Sequence, residues 1–168
     1  MFNYINYKQI YKQLSVDTEE VCQIIVKNNF REEFLKNQNG NVVLVFYHLM
    51  AIVYIELKNK RGRKTAERII KKLMYETAIR LPKEYTEEMI LDASSRIVTK
   101  YMAMSRYCAS QSQNESVQLN FSEELSKGIC ECFTEDELYF MQDDYRALIG
   151  ELKVYFDKKV EEYKALIK

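Results

Sequence analysis

The sequence predicts an all-α fold: a single domain spanning 1–168, a bundle of six or seven helices around a central apolar helix at 42–57, with a long helix at the C-terminus. Three observations carry this. Four glycines and one proline in 168 residues leave long stretches free of the residues that most disfavour helix interiors. A hydrophobic share of 47% beside a charged share of 30% is the balance of a globular domain with a core, and the length suits one such domain. Apolar residues recur by threes and fours along most of the chain. A β-sandwich of this size would need many more turn residues.

The elements follow in order. A first amphipathic helix is expected over 3–14, with Tyr4, Tyr7, Tyr11 and Leu14 on one stripe packed against the bundle. Ser15, Val16, Asp17 and Thr18 are expected to break it, Asp17 and Glu20 forming a capping box for a second helix to about Lys36. Asn37, Gln38, Asn39, Gly40 and Asn41 make a turn. The sixteen residues 42–57 are apolar except for His48 and Glu56. The first of them have strand propensity, but no turn signal interrupts the run and strands are rarely so long. A helix apolar on all sides is a surrounded helix. The run falls short of the roughly 20 residues that cross a bilayer, so a core position is expected rather than a membrane one. His48 shares a face with Leu44, Val45, Ala51, Ile52 and Ile55 and is expected to be a hydrogen-bonded core residue.

Gly62 lies in a basic turn, and Thr65 is placed to cap a helix that Pro82 stops. Thr86 starts a further helix to about Ser110, with Ile90, Ile97 and Met104 at heptad spacing. Residues 111–119 make the longest loop. Ser122 is expected to cap a short helix carrying Cys130 and Cys132. Thr134, Glu135, Asp136 and Glu137 form a capping box from which a helix of about thirty residues, roughly 45–50 Å long, runs to the C-terminus. Its stripe is Leu138, Met141, Tyr145, Leu148, Leu152 and Tyr155, shifting to Phe156, Val160, Tyr163 and Ile167. Gly150 permits a bend midway.

Charge is balanced, 25 against 25, but unevenly placed. Residues 113–168 carry 13 acids and 7 bases, and residues 1–112 the reverse excess. The strongest concentration lies at 58–72, where eight bases face one acid, Glu67. Lys58, Lys60 and Arg61 suit the negative end of the helix they follow. Lys64 and Arg68 oppose the dipole of the helix they begin, so a compensating anion is expected: the acidic half of the chain, or an external partner.

Four cysteines and no secretory signal at the first residues point to reduced thiols and a cytoplasmic protein. Cys130 and Cys132 lack the second knuckle of a zinc site, and His48 is the sole histidine. No glycine-rich phosphate loop, nucleophile elbow or H-E-x-x-H is present. The carboxylates at Glu84, Glu87, Glu88 and Asp92, and at Asp143 and Asp144, suit helix N-termini. No metal, cofactor or catalytic residue is expected. The sequence points to a non-enzymatic interaction protein: an adaptor, inhibitor or regulatory subunit that binds another protein or a nucleoprotein complex. The alternative is a nucleic-acid-binding helical subunit. Either would use Lys60, Arg61, Arg63, Lys64, Arg68 and Lys72. The seam at Leu148, Leu152, Tyr155 and Phe156 exceeds what a compact bundle needs, and is expected to hold a homodimer or a partner groove.

Overall fold

The computed structural model describes residues 6–78, 119–134 and 138–167. Six α-helices and one 3-10 turn account for nearly all of them, with no strand among the described residues. The helices are α1 (Tyr7–Lys27), α2 (Arg31–Leu35), α3 (Gln38–Arg61), α4 (Arg63–Ala78), α5 (Leu119–Cys130) and α6 (Asp143–Leu166), with the 3-10 turn at Tyr139–Met141. Pro82, the helix expected at 86–110 with its heptad seam, Cys108, the carboxylates at Glu84–Asp92 and the acids of the capping box at 135–137 lie outside the described residues.

The chain enters α1 through Asn6, whose side chain accepts from the Gln9 N–H at 3.3 Å. The expected break at 15–18 does not occur. Ser15 Oγ donates to the Tyr11 carbonyl and Thr18 Oγ1 to the Leu14 carbonyl, so both hydroxyls are absorbed by the helix they were expected to end. Asp17 is no cap but part of the buried stripe Ile10, Leu14, Asp17, Thr18, Val21 and Ile25. The helix ends at Asn28, followed by Asn29 in the left-handed region at φ 68°, which Asn tolerates better than most residues. The short α2 then returns the chain.

Only the beginning of the expected 37–41 turn is a turn, because α3 starts at Gln38. Asn41 lies within it and donates from Nδ2 to the Phe34 carbonyl at 2.8 Å, tying α2 to α3. From there α3 is buried almost all round, with Tyr47, Leu49, Met50, Val53 and Leu57 essentially inaccessible. It packs against every other described α-helix, as its apolar circumference requires. At 24 residues it is longer than the apolar run and is long and apolar enough to cross a membrane, yet 83% of its most apolar window is buried within this fold. Burial by five protein helices makes it the core helix. His48 is buried inside it, with Nδ1 2.6 Å from the Leu44 carbonyl.

Gly62 alone separates α3 from α4. Its φ of 80° is the left-handed conformation that glycine adopts without a Cβ penalty. Thr65 therefore lies inside the first turn of α4 rather than at its cap. Ala66, Ile69, Ile70, Leu73, Met74 and Thr77 face inward. Ser122, expected as a cap, is buried three residues inside α5. The last helix starts at Asp143 instead of Thr134 and is 24 residues long, about 36 Å at 1.5 Å per residue. Asp143 and Asp144 in its first turn suit the dipole. Leu138 and Met141 precede this helix and are exposed.

Candidate functional site

The structure separates the six basic residues singled out in the sequence. Lys60 reaches across to α6 and donates its ammonium to the Lys164 carbonyl, capping the negative end of that helix. Beneath it burial pushes the Glu56 carboxyl up, against the pull of Lys164 and Lys60. Arg61 is half-buried. Arg63 is held by Glu67 at 2.6 Å on the surface. The Lys72 ammonium sits over the Tyr7 ring, 3.6 Å from its centroid, and pins α4 to α1 by a cation–π contact. Lys64 and Arg68 remain, both exposed.

Lys64 and Arg68 belong to a longer stripe. Steps of four, three and four residues place Lys64, Arg68, Lys71 and Tyr75 in one row on the outer face of α4. The three bases are exposed, and no described carboxylate forms an ion pair with them. Tyr75 ends the row with 57% of its surface accessible. Lys71 and Tyr75 are missing from the expected set, although a helical wheel of 63–78 would have found both. No described acid of the C-terminal half pairs with this row.

Three of the four residues of the expected interaction seam are buried within this chain. Leu148, Leu152 and Phe156 are wholly inaccessible and belong to the core of this chain. Tyr155 is half-buried, its hydroxyl donating to a Glu20 carboxylate oxygen at 2.7 Å. Two differences from the sequence reading explain this. The last helix is shorter than expected, and α1 is one unbroken helix long enough to lie along it. Leu148, Leu152 and Phe156 on α6 thus find their cover within the chain.

Between α1 and α6 lies a polar cluster. Asp17 is 0% exposed. Its Oδ1 accepts from Gln13 Nε2 at 2.9 Å and lies 2.7 Å from the Lys159 ammonium, while Oδ2 accepts from the Tyr163 hydroxyl at 2.7 Å. Lys159, itself buried, also reaches Glu162 at 2.9 Å and Glu20 at 3.4 Å. Burial opposes the charged form of Lys159, but hydrogen bonds to Asp17 and Glu162 outweigh it, and its pKa rises. The Tyr163 phenol is pushed up by burial and by the Asp17 charge. Glu20 is held below the usual carboxylate range, chiefly by the Tyr155 hydroxyl. Both Asp17 oxygens are engaged, and the cluster is a clasp between two helices.

Cys22 and Cys130 pack with the core. Burial pushes the thiols of Cys22 and Cys130 up to about 12. At neutral pH their thiolate fraction is negligible, and alkylation of these two is expected only as the chain unfolds. Mass-spectrometric labelling with and without urea measures this; native-state labelling of either at the rate of a free thiol would contradict it. Among the described residues no group of three or more His, Cys, Asp or Glu is arranged to hold a metal ion.

The chain matches no protein-family model, no curated protein and no solved structure.

Proposed function

We propose that this chain is a non-enzymatic helical interaction protein of the cytoplasm that contacts an acidic partner protein through the outer face of α4. One observation carries the reading: the row Lys64, Arg68, Lys71 and Tyr75, three bases in no ion pair among the described residues, with an exposed aromatic at their end. Lys64 and Arg68 lie in the first two turns, where the helix dipole disfavours them. An acidic surface docked on this face relieves both that cost and their mutual repulsion. Tyr75 supplies the amphipathic anchor common at interface centres.

A nucleic acid is the second reading, favoured by the same tyrosine, since a base can stack on an exposed ring beside phosphate-binding bases. The two readings separate in one experiment. The protein is used as bait in host extract with and without nuclease, beside the variant Lys64→Glu/Arg68→Glu/Lys71→Glu, which spares the paired Arg63. A protein partner is retained after nuclease treatment, and the variant weakens it on the order of 100-fold, each like-charge contact costing on the order of 1 kcal/mol. Loss of the captured material on nuclease treatment favours the second reading. In that case duplex binding by the purified protein falls with salt at a slope of about −2.7 for three neutralised phosphates. A variant that captures its partner as wild type does removes the α4 face from both readings.

A further inference from the structure

A cleft of about 540 Å³ opens where the α2–α3 connection meets the chain between α5 and α6. Its volume lies in the range of small-molecule sites. Three aromatic rings, Phe30, Phe133 and Tyr145, line it. Phe30 and Tyr145 have centroids 4.4 Å apart, Phe30 and Phe133 5.8 Å, and the planes of Phe133 and Tyr145 lie within 20° of each other. The rings form one wall rather than scattered contacts. Glu33, on α2, lines the same cleft, and its Oε2 is buried without meeting any donor among the described residues. Asp144, in the first turn of α6, adds a second, exposed carboxylate to the lining.

These parts select a ligand by charge. A carboxylate oxygen covered from water and given no donor is left with an unmet demand, and a cation in the cleft meets it. The negative faces of aromatic rings attract the same charge. An anion would meet Glu33 and Asp144 unfavourably, and a purely apolar ligand would desolvate Glu33 further without a partner. Lys36, the one base among the described lining residues, is exposed and can extend its ammonium to water from an apolar stem. We propose that this cleft binds a compact organic ammonium, its charge between Glu33 and the rings of Phe30, Phe133 and Tyr145.

The test uses choline as the cation and 3,3-dimethylbutan-1-ol as its uncharged isostere, both titrated into the full chain. Ring-proton NMR shifts of Phe133 and Tyr145 are followed. Saturable shifts are expected with choline, with the neutral isostere about tenfold weaker. Glu33→Gln, isosteric and on a half-exposed residue, is expected to weaken choline about tenfold while leaving the circular dichroism unchanged. Lys36→Gln is expected to leave choline binding equal or tighter. The proposal fails if choline gives no saturable shift, if the isostere binds as well, or if Glu33→Gln binds choline as wild type does. The isostere comparison needs no variant, so it stands even if a substitution disturbs the fold.

Discussion

Lys159→Met is expected to destabilise the fold by about 3–5 kcal/mol, the cost of leaving a buried charge without its partner. For a chain of 168 residues that is a fall in Tm of about 6–20 °C. The expectation rests on Asp17. Its carboxylate is inaccessible, and after the substitution only Gln13 and Tyr163 still donate to it. Neither neutral donor replaces an ammonium at 2.7 Å. Methionine fills most of the volume of the lysine stem, so lost packing is not the main effect. Asp17→Asn combined with Lys159→Met keeps an acceptor for Tyr163 and removes both charges. It is expected to lie nearer wild type than Lys159→Met alone, because replacing a buried pair costs less than breaking one. Urea unfolding of the three variants measures the coupling. A single-variant loss under about 1 kcal/mol would mean that water reaches Asp17 and that the clasp is a surface ion pair.

The pH dependence of this clasp has a definite sign. The Lys159 pKa is raised above its ordinary 10.5, so its contribution is complete below that value and is lost only as pH climbs through the higher folded value. Glu20 is lowered from 4.5, so its contribution is present above that value and is lost as pH falls through the lower folded one. Between the two, Lys159 and Glu20 add no slope to the stability profile.

Much of the fold is legible in the sequence where local and tertiary demands agree. The apolar run at 42–57 names its own burial, and Gly62 names the reversal after it, because a left-handed backbone there favours glycine. The reading failed where a residue type has two uses. Ser15 and Thr18 cap helices well, but their hydroxyls also bond back to the preceding turn, and packing against α6 chooses the second use. Asp17 looks like a cap for the same reason. Its place between Leu14 and Val21 on the buried stripe was the contrary signal, as was that of Lys159 between Phe156 and Tyr163 on α6. Among the candidate residues, Lys64 and Arg68 were found as part of a run of charge. Lys71 belongs to the same run but was passed over for Lys72, four residues from Arg68, and Tyr75 lies beyond the run. The cleft could not be found locally, since Glu33 and Phe30 lie more than a hundred residues from Tyr145.

Leu152→Ala carries the second large effect, about 2–5 kcal/mol, and it decides what the stripe on α6 does. Leu152 is 0% exposed, like Leu148 and Phe156 beside it. Removing three carbons there leaves a cavity between α6 and its neighbours that the bundle fills only in part. Ile52→Ala on α3, at 1% exposure, is expected to cost a similar amount, whereas Leu44 and Ile55 on the same helix are half-buried and their truncation costs less. The readout that separates core from interface is concentration. A residue buried within one chain lowers Tm by the same amount at every protein concentration. A residue buried between two copies makes Tm depend on concentration in the wild type and weakens that dependence in the variant. The structure predicts the first pattern for Leu152. A wild-type Tm that rises with protein concentration, and a Leu152→Ala variant whose Tm does not, would return the stripe to an intermolecular role.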